Sequence, residues 1–366
     1  MTTNINILSE LHWRGLVNQT TEGLNDLLQT PQVVYLGVDP TGNSLHVGHL
    51  LALTVLRRFQ RAGHRVIVVI GGATGMIGDP SGKSEERKLL EFQTILENVT
   101  SVKEQIEQLI PLASVVNNHD WMRGYYYLDF LRDVGKHFPV NVMLTKDSVK
   151  SRMESGLSYT EFSYMLLQAY DFVYLNQWHG CTLQIGGSDQ WGNITAGIDL
   201  CRRMRGVELH GLTIPLLTKS DGTKKVKMGK TERGALWLDA EKTSPYDFYQ
   251  YWLNVADEDV ERCLKYFTDL DANEINCLIQ RHRSDPSKRI AQRRLATGDP
   301  QIGRLMPADY CCNALAVTGS VTQGDCCYQT KPLSGIHNRS SMRSWYSSLP
   351  KGTGARPSND GARTSF

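Results

Sequence analysis

Long apolar runs and a large excess of one charge are both missing from this sequence. No stretch of about 18 apolar residues occurs, so no membrane-spanning helix is predicted. The amino-terminal segment has no apolar core of the signal-peptide kind, and we therefore expect a cytoplasmic protein. The 40 basic and 38 acidic residues leave a formal charge of +2, too small to attract nucleic acid through net charge. Any contact with a polyanion must use local patches.

Cysteine is present without the spacing that metal sites require. The eight cysteines include no C-x-x-C pair, and nothing in the sequence indicates a secreted protein. Four are scattered, and four form the adjacent pairs at 311–312 and 326–327. The sequence thus predicts neither a disulfide framework nor a metal held by protein ligands.

Short β-branched runs alternate with helical patterns from about residue 32 to residue 217. This alternation predicts an α/β fold, a doubly wound parallel sheet with helices on both faces. Ligands of such sheets bind beyond the carboxyl ends of the strands, where this sequence has polar and glycine-rich segments. The predicted strands are QVVYLGV, RVIVVIGG, ASVVNN, TLQIGG and LTIPLL. The polar segments are residues 37–48, 71–82, 117–121 and 186–190.

We expect three parts along the chain. Residues 1–219 form the α/β domain, and residues 220–296 form a smaller helical domain that opens with a glycine- and lysine-rich loop. Residues 297–366 are atypical: the last glutamate of the chain is Glu274, and no sustained helical or strand periodicity follows. This composition predicts a disordered tail.

The stretch GVDPTGNSLHVGHLLA, residues 37–52, predicts a turn followed by the start of a helix. His46 and His49 lie one turn apart there, where free backbone N–H groups and the helix dipole favour an anion. Gly48 leaves a flat patch for an adenine ring, and the Thr41 hydroxyl is a phosphate donor. The alternative is a pair of ordinary surface histidines.

The stretch GGATGMIGDPSGKSEER, residues 71–87, is glycine-rich but has the wrong spacing for a P-loop, since Ile77 stands where that motif needs glycine. Asp79 follows the predicted strand, and Lys83 and Arg87 are placed to fold over a phosphate chain. Solvated charges on a loop are the alternative.

The stretch SYTEFSYMLLQAYDF predicts a helix whose capping box is Ser158 and Glu161. Tyr164, Gln168 and Asp171 are spaced by four and three residues, so they share one face. A hydroxyl, an amide and a carboxylate on one face suit a ligand with amine and hydroxyl groups. The alternative is a solvent-facing stripe.

Two further strands carry unusual polar residues. Tyr35 lies in an otherwise apolar strand and needs a polar partner if buried. Asp189 and Gln190 follow the glycines of GGSDQWGNIT; Asp189 is suited to a ribose hydroxyl or to a plain helix cap.

The lysines of SDGTKKVKMGKTERG suit a charged leaving group, and a soluble linker is their alternative.

Together these motifs resemble a known family. HVGH at 46–49 resembles the HIGH signature of class I aminoacyl-tRNA synthetases, and KMGKT at 227–231 resembles their KMSKS signature. From about residue 11 to 294 the chain is similar to bacterial-type tyrosyl-tRNA synthetases. The specific blocks are YLGVDPTGNSLHVGHL, GGATGMIGDPSGKSEER, EFSYMLLQAYDF and IGGSDQWGNITAG.

The resemblance implies a Rossmann-like catalytic domain that contains the dimer interface, and a cytoplasmic homodimer. Its substrates are implied to be tyrosine, ATP with Mg²⁺, and tRNA(Tyr), with no membrane contact and no protein ligand set for the metal. The tyrosine carboxylate attacks the α-phosphate in line, pyrophosphate leaves, and the tyrosyl group passes to the 3′ end of the tRNA. A buried carboxylate facing the phenol accounts for rejection of phenylalanine.

The resemblance also implies residue roles. Tyr35 and Asp171 contact the phenol, and Asp79, Tyr164 and Gln168 hold the ammonium group. The implied tyrosine-binding residues are Tyr35, Asp79, Tyr164, Gln168, Asp171 and Gln190. The implied ATP-binding residues are Gly37, Asp39, Gly48, Gly187 and Asp189. The implied catalytic residues, which contact the phosphates or the departing pyrophosphate, are Thr41, His46, His49, Lys83, Arg87, Lys227, Lys230 and Thr231.

The chain departs from the family pattern in two places. The segment DGTKKVKMGKT has three additional residues, which makes the register of this loop uncertain. Beyond Arg294 no match to an S4-type RNA-binding domain occurs, so we expect tyrosyl adenylate to form and tRNA to be charged poorly. The alternatives are a tryptophan-specific relative, a non-catalytic synthetase-derived RNA-binding protein, and a nucleotidyl transferase that uses another carboxylate.

Overall fold

The computed structural model describes residues 6–81, 89–153, 156–221, 224–231 and 234–297. All of them belong to one compact unit, Met1–Ala314. A second unit, Leu315–Phe366, lies outside the described residues, and so does the predicted disorder of the tail.

Strands in the described residues make one large sheet and two small hairpins. In chain order they are β1 Gln19–Thr20, β2 Val33–Val38, β3 Arg65–Ile70, β4 Ser114–Asn117, β5 Leu183–Gly187, β6 His210–Ile214, β7 Thr218–Asp221, β8 Lys224–Lys227, β9 Lys230–Thr231 and β10 Gly234–Ala235.

Helices surround this sheet and make up most of the region after residue 244. They are α1 Ile7–Trp13, α2 Leu24–Leu27, α3 Val47–Arg61, α4 Phe92–Leu109, α5 His119–Met122, α6 Tyr127–Asp133, α7 Val140–Met143, α8 Asp147–Lys150, α9 Tyr159–His179, α10 Trp191–Arg205, α11 Pro245–Leu253, α12 Asp257–Phe267, α13 Ala272–Ser284 and α14 Ile290–Thr297. Within the described ranges, no helix combines the length and apolar character that crossing a bilayer requires.

The large sheet has the strand order β1–β6–β5–β2–β3–β4. Strands β2 to β6 are parallel, and only β1, at the edge, runs antiparallel to its neighbour. All five predicted strands are present. The last ends at Ile214, before the predicted Leu217, because Pro215 has no N–H for the ladder. Strand β1 was not predicted, since two residues are too few to show a pattern.

Both faces of the sheet are covered, as a doubly wound fold requires. Val34, Leu36 and Val38 of β2 pack into one core with α3 and α4, whereas Tyr35 packs into a second core with Phe172 of α9. Neighbouring β2 and β5 lead into helices on opposite faces, α3 and α10. This arrangement is a topological switch point, where an α/β sheet opens a crevice for ligands.

A group of arginines joins the carboxyl end of α3 to the helical region. Arg58 is buried and donates from Nη1 to Glu10 Oε1 (2.8 Å) and from Nη2 to the carbonyl oxygen of Thr268 (2.7 Å). Arg14, after α1, donates to the carbonyl oxygens of Lys265 (2.9 Å) and Thr268. These cations satisfy the free carbonyls at the end of α12, where the helix dipole is negative. The helical region is thereby held to the helix that starts at the histidine signature.

We expect Arg58→Met to lower the free energy of unfolding by about 2 kcal/mol, because it removes a buried cation that donates to Glu10 and to the Thr268 carbonyl and leaves Arg14 as their remaining donor. Arg61→Met is the matched control: its side chain is 47 % exposed and pairs with Asp269, so its loss should cost under about 1 kcal/mol. Urea denaturation of both variants measures the difference. Equal losses in the two variants would show that burial of the Arg58 contacts adds nothing to the free energy of unfolding.

Candidate active site

A cavity of about 450 Å³ lies at the carboxyl ends of β2 and β5. It is walled by these strands, the start of α3, one face of α9 and the turn at Met228 and Gly229. The structure brings the following predicted site residues together around it: Tyr35, Gly37, Asp39, Thr41, His46, Gly48, His49, Asp79, Tyr164, Gln168, Asp171, Gly187, Asp189 and Gln190.

The structure does not describe the side chains of five predicted site residues. Lys83 and Arg87 lie outside the described residues. Lys227, Lys230 and Thr231 have described backbones, in β8 and β9, and nothing is described of their side chains. Their roles, like those of the residues around the cavity, stay predictions.

The histidine signature forms the amino-terminal cap of α3. His46 Nδ1 accepts from the Gly48 N–H (3.1 Å), and His49 Nδ1 accepts from the His46 N–H (3.2 Å). The two rings stack with centroids 3.9 Å apart. Burial, together with repulsion from His46, lowers the pKa of His49 to about 3. Because each Nδ1 accepts a bond, a neutral ring carries its proton on Nε2 and donates from there.

One end of the cavity, which we call the phenol end, is built around a buried carboxylate. Asp171 is 3 % exposed and accepts hydrogen bonds from Asn118 Nδ2 (3.0 Å) and Trp121 Nε1 (2.9 Å). Burial raises the pKa of Asp171 to about 7, and the two donors oppose that rise. Burial therefore disfavours the ionised form of this carboxyl group in the empty site.

The same end contains two buried polar atoms without a partner among the described residues: Tyr35 Oη and Gln184 Oε1. Tyr35 and Gln184 are opposite each other across β2 and β5, and both line the cavity. Burial and the charge of Asp171 raise the pKa of Tyr35 well above its usual value, so the phenol is neutral. Buried polar atoms of this kind are costly unless a ligand pairs with them.

A second polar group, which we call the carboxylate–amide cluster, lies further along α9. Gln190 Nε2 donates to Asp79 Oδ2 (2.6 Å), and Gln168 Nε2 donates to Gln190 Oε1 (3.2 Å). Asn193 Nδ2 reaches Gln168 Oε1 (3.1 Å), and the Ser81 N–H donates to Asp79 Oδ1 (2.9 Å). One buried carboxylate among neutral amides suits a cationic ligand group.

Asp39, directly after β2, connects α9 to the segment that follows β3. It accepts from Tyr164 Oη (2.8 Å) and from Thr74 Oγ1 (2.7 Å). Gly71 is required beside it, because a Cβ at Gly71 would lie 2.0 Å from Asp39 Oδ1. These bonds aim a carboxylate into the cavity between β2 and the helix that carries the histidines.

Five site residues were not predicted individually: Thr74, Asn118, Trp121, Gln184 and Asn193. Asn118 and Trp121 lie in the polar segment 117–121 that the sequence places after a strand, so their position was signalled although their partner was not. Gln184 shows the same signal as Tyr35, a polar residue in an apolar strand. Thr74 and Asn193 act through contacts between distant segments, which no local pattern reveals.

The two signature segments are in direct contact. Gly229 has a φ of +88°, and a Cβ there would lie 2.2 Å from Val47 Cγ1 of the histidine signature. The Leu236 N–H donates to the Gly229 carbonyl (2.8 Å), and the Val47 N–H donates to the Leu236 carbonyl (3.0 Å). A switch-point cavity with a histidine helix cap packed on a lysine–glycine turn defines the site of a class I aminoacyl-tRNA synthetase.

Comparisons with known proteins support this class. The family "tRNA synthetases class I (W and Y)" matches residues 28–300. A tyrosine–tRNA ligase from Rhodopirellula baltica is 60% identical over 300 residues, which cover 79% of this chain and 68% of that protein. One from Geobacillus stearothermophilus is 55% identical over 302 residues, covering 80% and 71%. A C-terminally truncated Aspergillus nidulans mitochondrial tyrosyl-tRNA synthetase superposes with a TM-score of 0.75 at 30% identity, covering 86% of this chain and 94% of that one. The chain belongs to the bacterial-type tyrosyl-tRNA synthetases.

We expect Asp171→Asn to change how stability depends on pH. The folded pKa of about 7 lies above the model-compound value of 3.8, so wild type loses stability as pH rises between them. The variant lacks this loss, and its stability relative to wild type should improve by about 2–3 kcal/mol from pH 5 to pH 8. Denaturant unfolding at both pH values tests this, and a difference that does not vary with pH would contradict the raised pKa.

Proposed function

We propose that the cavity activates tyrosine with ATP and that the protein is a tyrosine–tRNA ligase. The observation that carries the proposal is the phenol end, where Asp171 is held by Asn118 and Trp121 near the unpartnered hydroxyl of Tyr35. A substrate hydroxyl that donates to Asp171 and accepts from Tyr35 would satisfy both groups. Phenylalanine would leave the Tyr35 hydroxyl unpaired and give Asp171 no donor beyond Asn118 and Trp121; loss of such pairing costs on the order of 10⁴–10⁵ in selectivity at sites built for a hydroxyl.

The carboxylate–amide cluster suits the other end of the amino acid. Asp79 supplies a negative charge for the substrate ammonium group, and Gln168 and Tyr164 add neutral oxygen acceptors. This places the amino-acid carboxylate toward the start of α3, next to Asp39 and Gln190. The substrate is thereby oriented along α9, with its reactive carboxylate facing the histidine cap.

The start of α3 suits the triphosphate. Its free N–H groups and positive dipole end favour an anion, and Thr41, His46 and His49 add side-chain donors. With a pKa near 3, His49 stays neutral at physiological pH and donates through Nε2. Asp189 and Gly187, at the end of β5, are assigned to the ribose.

The reaction needs no nucleophile from the protein. An oxygen of the tyrosine carboxylate attacks the α-phosphorus, the bond to the bridging oxygen breaks, and pyrophosphate leaves with that electron pair. A terminal ribose hydroxyl of tRNA(Tyr) then attacks the carbonyl of the adenylate, and AMP departs. Catalysis therefore consists of alignment and stabilisation of charge on the leaving pyrophosphate.

Mg²⁺ is assigned to the ATP rather than to the protein. The described residues contain no group of three or more histidine, cysteine or acidic side chains arranged to hold a metal. The metal supplies charge neutralisation on the phosphates, while the chain supplies Thr41 and the histidine donors around them. Cytoplasmic location is proposed with this activity, because charged tRNA is used there.

A homodimer is proposed from a group of exposed apolar side chains, which we call the apolar face. Tyr126, Tyr127 and Leu128 are 79 %, 63 % and 76 % exposed. Val140, Val142 and Leu144, which follow closely in sequence, are exposed as well. Large apolar side chains that stay exposed within one short part of the chain are typical of an interface. A second copy of the chain is the occupant that the family predicts.

The first functional test is ATP–pyrophosphate exchange with each of the twenty amino acids. We expect exchange with tyrosine alone, and Asp171→Asn should lower kcat/KM for tyrosine by roughly 10- to 100-fold, the worth of a hydrogen bond to a charged group. Asp199→Asn is the control, since this carboxylate lies on the exposed surface of α10. Exchange with tryptophan instead of tyrosine, or none at all, would refute the proposed substrate.

We expect Leu128→Asp to convert a dimer into monomers, because it places a charge in the apolar face. Leu112→Asp is the control: this leucine is 71 % exposed, before β4 and outside the face. Sedimentation velocity distinguishes the species. A monomeric wild type, or a Leu128→Asp variant that stays dimeric, would contradict the assignment.

A further inference from the structure

The turn that carries Met228 and Gly229 is a thin wall between two cavities. Both residues line the substrate cavity. On the far side lies a second cavity of about 660 Å³, lined by Met228 and, among others, Tyr251, Asp259 and Ala235. Met228 packs into the main apolar core, and the backbone of the turn is held by individual polar contacts.

The base of the loop is anchored at β7. The Ser220 N–H and Oγ both donate to the Asp259 carboxylate (2.9 and 3.1 Å), and Arg262 donates to the carbonyl oxygen of Thr218. The Met228 N–H donates to the Leu217 carbonyl (2.9 Å), which extends this anchorage to the turn. None of these contacts reaches Gly229 itself.

Tyr251 supplies the hydrogen bond that holds Gly229. The Gly229 N–H donates to Tyr251 Oη (2.8 Å), across the space between α11 and the turn. Gly229 is buried, so its N–H needs this acceptor. Its carbonyl points the other way, to Leu236, and its missing side chain admits Val47. The turn is thus held between Tyr251 on one side and the helix cap on the other.

We propose that the Tyr251 hydroxyl is a positioning residue: it holds the KMGKT turn against the amino terminus of α3, where the transition state for adenylate formation is stabilised. This inference rests on the proposed function. Tyr251 touches neither substrate. It acts through Gly229, whose neighbours in sequence include the signature lysines. Losing the hydroxyl should therefore affect the chemical step and leave tyrosine binding at the phenol end unchanged.

The test is Tyr251→Phe, with Tyr246→Phe as the matched control on the same helix, since Tyr246 is 45 % exposed and lines neither cavity. At saturating ATP and tyrosine, the rate constant for tyrosyl-adenylate formation should fall roughly three- to tenfold in Tyr251→Phe, the range for one neutral hydrogen bond. The Kd for tyrosine alone should stay at the wild-type value, and the melting temperature should fall by only a few degrees, about the cost of one lost hydrogen bond. The control should match wild type throughout.

Deuterium exchange of the peptide that contains Gly229 gives a readout without activity. Faster uptake in Tyr251→Phe, together with the slower chemical step, supports the inference. An active wild type whose Tyr251→Phe variant keeps the full rate overturns it, whatever the exchange shows. A loss of tyrosine affinity as large as the loss of rate also overturns it, because a general structural role would suffice. A wild type without tyrosine-dependent adenylate formation overturns the proposed function, and the inference with it.

Discussion

The hydrogen-bonded pairing of β2 with β5 is the constraint on which the rest of the site depends. These strands are distant in sequence, yet in the sheet Tyr35 lies opposite Gln184 and Leu36 opposite Ile185. Because the two strands lead into helices on opposite faces, the chain separates at their carboxyl ends and leaves a crevice. The histidine cap, the carboxylates and Tyr164 of α9 all face that crevice. Without the pairing of β2 with β5, these residues would lie on separate parts of the protein surface.

The site holds polar groups that a purely structural core would avoid. Asp171 is buried with a raised pKa, while Tyr35 Oη and Gln184 Oε1 have no partner among the described residues. Each arrangement destabilises the empty protein, since buried polar atoms need partners and buried carboxyls resist ionisation. The compensation comes from elsewhere in the fold, including the continuous apolar core around α3 and the arginine contacts at the end of α12.

Much of the fold and of the candidate site was predictable because the signals are local. The five parallel strands follow from runs of β-branched residues, and the α9 face follows from the spacing of Tyr164, Gln168 and Asp171. Contacts between distant segments were not predictable from spacing. Asn118 and Trp121 meet Asp171 only after α9 packs against the end of β4, and Arg58 meets Thr268 across 210 positions of sequence. The edge strand β1 is too short to carry a pattern.

The segment with the three additional residues pairs in a regular antiparallel register with β7. Its antiparallel register runs from Thr218 opposite Lys227 to Asp221 opposite Lys224. Met228 continues the ladder by bonding to Leu217, so the signature turn is attached at the open end of the hairpin. Because the turn is attached at the open end, the length of the hairpin does not set the distance from the signature glycine to the helix cap.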